Sequence, residues 1–352
     1  MTELINNNSE TVEVNKERWN HYNYALLDPR NIPVATENNT KIFETGDVYG
    51  IEVTVPKLAE QCAENIDPQH TDGNINLSAI EVALTTQLPE AGSTLATVRA
   101  DLDSIGAMAI MSNRVEFGLD KYDPENEENY VSAIKAGFVK DDEKFIHRLY
   151  AVAESDKFAH GGYPGPKPLP TVETPWLKDG NDWPETSAIG AAVADFRLPL
   201  ADRVAMMGEW LSGGEVPAKY LEQVEKERLD LINALETGKI CYDVIADKDG
   251  GADVAVVETS HRAATMVGYS LAPVVIAYNP EFKQGPGDPY KKYTICQFED
   301  KFVDIKAVRE ELNELEPGWG GSPTIIGSPQ GVSSQLSIEA VATIVEKHLI
   351  RQ

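Results

Sequence analysis

Asp101 and Asp103 stand two residues apart in the stretch ATVRADLDSIGAMAIM (96–111), directly after the short apolar run TLATV (94–98). Carboxylates just past the end of a strand project from the carboxyl edge of a sheet, where open α/β folds bind their ligands. Two such anions repel each other unless a cation lies between them, and hard divalent ions such as Mn²⁺ or Mg²⁺ take oxygen ligands of this kind. Gly106 and Ala107 would let the following helix pack close to the strand, and its N-terminus would favour a nearby anion. The competing reading makes Asp103 an N-cap for that helix, with Asp101 solvated beside it. The spacing alone leaves both open.

Two further places carry chemistry that suits an anion. SHRAAT puts Ser260, His261 and Arg262 between a strand and a helix, where an imidazole and a bidentate guanidinium would meet a phosphate. The alternative is a cap at Ser260 with an exposed Arg262. The loop GWGGSPTIIGSPQGVSS (318–334) contains Gly320, Gly321 and Ser322; small residues with free N–H groups can form a nest for an anion, and turn-making is the rival account. The loop lacks the Gly-Lys-Ser/Thr ending of a P-loop. No G-x-S-x-G elbow occurs, and no G-x-G-x-x-G follows a strand and opens a helix, which argues against a serine hydrolase and a dinucleotide enzyme. His147, inside an amphipathic stretch, reads as a surface or packing residue.

The elements that must position these groups follow from periodicity. Residues 1–40 show little pattern and read as an extended leader. KIFETGDVYGIEVTV (41–55) reads as strands, NLSAIEVALTTQL (76–88) as a helix behind Asn76, 94–98 as a strand, and 104–117 and 143–158 as helices. This order predicts an α/β layer with a mostly parallel sheet over 41–183. The Pro-rich segment 160–176 is too long and stiff for a plain connection and reads as a functional loop or cover. Residues 184–238 read as a helical connector ending at Gly238. From 239 to 352, four apolar strands alternate with helices, giving a second, smaller α/β domain. At 352 residues the chain exceeds what one core usually holds, about 250–300 residues, so two domains are expected.

Fifty-seven acidic against 31 basic residues give a formal charge of −26, which disfavours long nucleic acid and anionic lipid as partners. A phosphorylated ligand would need local basic groups, backbone N–H groups or metal ions. Cys62, Cys241 and Cys296 are too few and too scattered for a disulfide framework or a zinc site. No stretch reaches the roughly 18 apolar residues of a membrane span, and the polar N-terminus is unlike a signal peptide. The expectation is a cytoplasmic protein with a small phosphorylated substrate; a homodimer is compatible with the sequence.

VRADLDSIGAMAIM resembles the first motif of the DHH (RecJ-like) phosphoesterase superfamily, which hydrolyses phosphodiesters with paired Mn²⁺ ions. VAVVETSHRAATMVGYSLAPVVIAYN, KYTICQFEDKFVDIKAVREEL and GWGGSPTIIGSP are similar, in that order, to the superfamily's associated C-terminal domain. The resemblance covers roughly 94–345. It implies a two-domain α/β scaffold with a cleft between the domains, and a metal-dependent phosphoesterase acting on a small nucleotide or phosphorylated metabolite. Asp101 and Asp103 would hold Mn²⁺ or Mg²⁺, with Asp156 and His160 of ESDKFAHGG completing the set. His70 and Asp72 are the other candidates for the missing ligands. His261, Arg262, Gly320, Gly321 and Ser322 would hold the substrate. The sequence departs from the family at Thr97, where members carry a histidine, at Ser322 in the glycine loop, and in lacking an Asp-His-His triplet. The alternative is a non-catalytic nucleotide or phosphometabolite binder on a degenerate DHH scaffold.

Overall fold

The computed structural model describes residues 16–19, 21–28, 33–68, 77–117, 143–156, 163–174, 184–246, 252–283 and 288–350. The chain divides into two compact units, Met1–Phe158 with Trp176–Glu225, and Ala159–Pro175 with Lys226–Gln352. Both are mixed α/β.

Unit 1 is built on a parallel sheet of β1 (Asn23–Leu26), β2 (Val48–Ile51), β3 (Glu64–Ile66) and β4 (Thr94–Thr97), in the order β1-β4-β2-β3. All four residues of β4 are buried. Leu95 faces one apolar cluster and Ala96 the other, as expected for an inner parallel strand covered on both faces. Around the sheet lie α1 (Pro33–Glu44), α2 (Pro56–Ala59), α3 (Ala79–Val82), α4 (Leu102–Ser112), α5 (Glu143–Asp156), α6 (Pro184–Val193) and α7 (Leu200–Leu211). Every residue of α4 from Asp103 to Ser112 is buried. A helix apolar all round belongs in a core, and α3, α5, α6 and α7 pack about it.

Gly106 faces Ile80 of α3 and Met207 of α7, not the strand, so the close packing foreseen for it is helix on helix. Gly208 of α7 lies against Trp19, whose indole is 1% exposed and donates to Glu209 at 2.8 Å. A Cβ at 208 would sit 2.5 Å from that ring. Gly208→Ala is therefore expected to lower stability by about 1–3 kcal/mol, seen as a lower urea midpoint.

The N-terminal reading changes in three places. Of the stretch expected as a leader, Trp19 is in the core, residues 23–26 form a strand, and α1 follows. KIFE, expected as strand, is the last four residues of α1. The helix expected over 76–88 contracts to α3 behind Ser78; the adjacent Thr85 and Thr86 lose rotamer freedom in a helix, and Pro89 lies just beyond. Asn76 lies outside the described residues.

Unit 2 holds a mixed sheet of β5 (Cys241–Ala246), β6 (Ala252–Glu258), β7 (Val274–Phe282), β8 (Tyr290–Gln297), β9 (Gly320–Gly321) and β10 (Ile325–Gly327), in the order β5-β6-β7-β8-β10-β9. Only β6 and β7 pair in parallel among the described strands of this sheet, joined through α9 (Ala264–Tyr269). Val274 and Ile276 face α10 (Ile305–Leu315) and α11 (Ile338–Lys347). Val275 and Ala277 face α9 and the second half of α8 (Ala218–Glu236), the period of two that a strand imposes.

The domain boundaries differ from those expected. The stretch 184–238 is no separate connector: α6, α7 and the start of α8 belong to unit 1, and the rest of α8 to unit 2. Residues 163–174, expected in the first domain, form an extended strap on unit 2. Its Tyr163 N–H donates to Glu299 and its Lys167 N–H to Ser270 O, each at 2.8 Å, while Arg228 donates to the carbonyls of Thr171 and Thr174. No helix among the described residues is long and apolar enough to cross a membrane.

Candidate metal centre

At the carboxyl ends of β2, β3 and β4 the chain places Glu52, Asp67, Asp101 and Asp103. The last residue of α5, Asp156, joins them. Glu52, Asp103 and Asp156 each offer a carboxylate oxygen, and the three lie within 4.8 Å of one another.

The two aspartates of the D-x-D motif divide the work in a way the spacing did not reveal. Asp101 is the N-cap of α4: its Oδ1 accepts from the Ser104 N–H at 3.2 Å and from the Ser104 hydroxyl at 2.7 Å. Its other oxygen meets Arg99 Nε at 3.4 Å. Asp103 reaches across to α3, accepting from the N–H groups of Ala79 at 2.8 Å and Ile80 at 3.0 Å. Helix N-termini leave such donors unpaired, so Asp103 completes α3 while α3 fixes both its oxygens. Each oxygen keeps a second lone pair for another partner.

Glu52 is reached by an unusual backbone. It is the one non-glycine residue with positive φ among those described, at +52°, and it is 8% exposed. Its N–H still completes the parallel ladder, donating to Ile66 O at 2.8 Å. The side-chain amide of Asn65 then takes over from β3: its Oδ1 accepts from the Val53 N–H at 3.2 Å and its Nδ2 donates to Val53 O at 3.3 Å.

Burial is the main cause that raises Glu52 well above the ordinary carboxylate range, and repulsion from Asp103, Asp101, Asp156 and Asp67 adds to it. Asp103 is raised first by burial and then by Asp156, against the two backbone donors that lower it. Among the described residues no lysine or arginine forms an ion pair with Glu52 or Asp103. Buried anions without a cation retain protons instead. Three carboxylate oxygens converging from three elements are donors of the type a hard divalent ion takes.

The other residues singled out from sequence fall as follows. His160, His70 and Asp72 lie outside the described residues. His147 is half-buried within α5. In unit 2, His261 Nδ1 accepts from the Ala263 N–H at 3.1 Å, which leaves Nε2 facing Asp230 Oδ2 at 3.1 Å. Arg262 is ion-paired with Glu227. The helix expected after Ser260 begins at Ala264, with Ala263 rather than Ser260 at its cap. Gly320 and Gly321 form β9 of a tight hairpin, where a Cβ at 321 would collide with the Ile325 carbonyl. The Ser322 N–H donates to that carbonyl at 2.8 Å.

Sequence reasoning missed Glu52. In VYGIEVTV it falls on the alternate positions with Val48 and Gly50, so it reads as the wet face of a strand. The available signal was a charge amid an apolar run two residues after a glycine. Compared with protein-family models and with curated proteins, the chain matches none.

Proposed function

We propose that this chain is a divalent-metal-dependent phosphoesterase of the DHH (RecJ-like) type, acting on a small nucleotide or phosphorylated metabolite. Glu52, Asp103 and Asp156 would hold Mn²⁺ or Mg²⁺. The observation that carries this reading is their convergence at the carboxyl edge of a parallel sheet, within 4.8 Å. When bound there, the ion supplies Lewis acidity, offsetting charge on phosphoryl oxygens and acidifying water. The α3 amides hold the Asp103 carboxylate in one orientation, and α4's cap keeps Asp101 beside it as further negative charge. Arg99, whose side chain is 84% exposed, keeps guanidinium N–H groups beyond its Nε for a phosphate at the same edge. The charge of −26 favours a small substrate over a polyanion.

The test is a panel of phosphodiesters and phosphomonoesters incubated with Mn²⁺. Hydrolysis is expected, abolished by chelation and lowered more than about 100-fold in Asp156→Asn, which leaves the α3 amides their acceptor. Failure of the protein to bind Mn²⁺ would overturn the reading.

A non-catalytic binder of phosphorylated metabolites is the second reading. It is motivated by Thr97 and Ser322, which stand where the family carries histidines, and by the missing Asp-His-His triplet. Tight ligand binding without turnover would identify it.

A further inference from the structure

The parallel ladder between β2 and β3 ends at Ile66, and Val53 would have no strand beside it. Yet Val53 is 1% exposed, and buried backbone groups need partners. The Asn65 amide provides one donor and one acceptor and so imitates the missing peptide. It reaches Val53 by lying across Gly50, its Cα partner in the ladder. A Cβ on Gly50 would collide with Asn65 Oδ1 and approach the amide carbon and Val53 Cγ2 at 3.0 Å each. With Ile51 held in the ladder and Val53 held by Asn65, the whole change of direction falls on Glu52. That residue takes φ +52°, a conformation costing on the order of 1 kcal/mol or more for a side chain of this kind.

We infer that Asn65 is a positioning residue: through Val53, and over the bare Gly50, its amide holds Glu52 in the left-handed conformation that brings its carboxylate to Asp103 and Asp156. This deepens the metal-binding reading above and rests on it. Only a side chain with both a donor and an acceptor at this length does the task. Aspartate would keep the bond from the Val53 N–H and lose the bond to its carbonyl, while adding a charge. Alanine at 65 would lose both, and alanine at 50 would displace the amide without touching it chemically.

The experiment measures Mn²⁺ affinity of the full chain at 20 °C by electron paramagnetic resonance, with circular dichroism to confirm folding. The proteins are the wild type, Asn65→Ala, Asn65→Asp, Gly50→Ala and, as a destabilised control whose added methyl would meet Trp19 and not Asn65, Gly208→Ala. Support is a wild type that binds, Asn65→Ala and Gly50→Ala each weaker by about 10–100-fold, and Gly208→Ala unchanged. Asn65→Asp is expected to be weakened as well and serves in place of Asn65→Ala should that variant not fold. Wild-type affinity in the folded position-65 and position-50 variants would overturn the inference and leave the metal centre standing. Equal weakening in Gly208→Ala would also overturn it, reducing Asn65 to a general contributor to stability. No binding by the wild type would overturn the metal-centre reading and this inference with it.

Discussion

Glu52→Gln is expected to make the metal-free protein more stable and to abolish its stabilisation by Mn²⁺. The carboxyl is 8% exposed and raised by burial and by four acidic neighbours, so folding at neutral pH forces it to stay charged or to take up a proton. Taking up a proton costs about 1.4 kcal/mol per pH unit above the ordinary value of 4.5. That route limits the penalty at pH 7 to about 3.5 kcal/mol. Glutamine has nearly the same shape and no charge, and its amide N–H can donate to the carboxylates of Asp103 or Asp156. Urea denaturation of the variant at pH 7 should therefore show a higher midpoint, by up to that amount, in the absence of metal. With Mn²⁺ at 100 times its dissociation constant, the wild type should gain about 2.7 kcal/mol and the variant nothing. A lower midpoint in metal-free Glu52→Gln would mean that the side chain is there for the fold.

Acidification should stabilise the metal-free wild type between pH 8 and pH 5. Glu52 and Asp103 are both raised in the folded protein, so over this range the folded state holds more protons than the unfolded one. Linkage then requires unfolding free energy to fall as pH rises. Their contribution is complete below the ordinary carboxylate range and is lost as pH climbs through the raised values. Asp195, held low mainly by Arg197, and Glu311, held low mainly by Lys347, work in the opposite sense. Their stabilisation is fully present above the ordinary carboxylate range and lost only as pH falls through their lowered values, so they add little to the slope above pH 5. The slope between pH 5 and 8 should shrink in Glu52→Gln. Saturating Mn²⁺ should flatten or reverse it, since a divalent ion displaces the same protons and its binding strengthens with pH. A metal-free stability that rises from pH 5 to 8 would contradict this account.

The second unit was largely legible in the sequence. Its stretches ICYDVIA, ADVAVVE and KYTICQF are of strand length and rich in β-branched and aromatic residues, and the structure places a strand in each. At Glu52 local pattern failed, because its left-handed backbone conformation accompanies the contact of its neighbour Val53 with Asn65, 13 positions after Glu52 in sequence. The D-x-D pair was legible as a place and not as a division of labour. Asp103 completes a helix that begins 24 residues earlier, and no window along the chain shows that. The leader was misread for a similar reason. Asn23–Leu26 is too short to declare itself and becomes a strand only through β4, some 70 residues later.

Unit 2 takes its strap, residues 163–174, from a point in the chain well before its sheet. On a ribosome the strap emerges first, and the Ser270 carbonyl that its Lys167 N–H needs arrives about 100 residues later. At roughly 5–20 residues per second the strap waits some seconds for its partner. Unit 2 therefore cannot finish folding as a free C-terminal module. A fragment begun at residue 239 would expose the apolar surface that Leu169, Leu231 and Ala234 normally cover, and such a fragment is expected to aggregate where the whole chain does not.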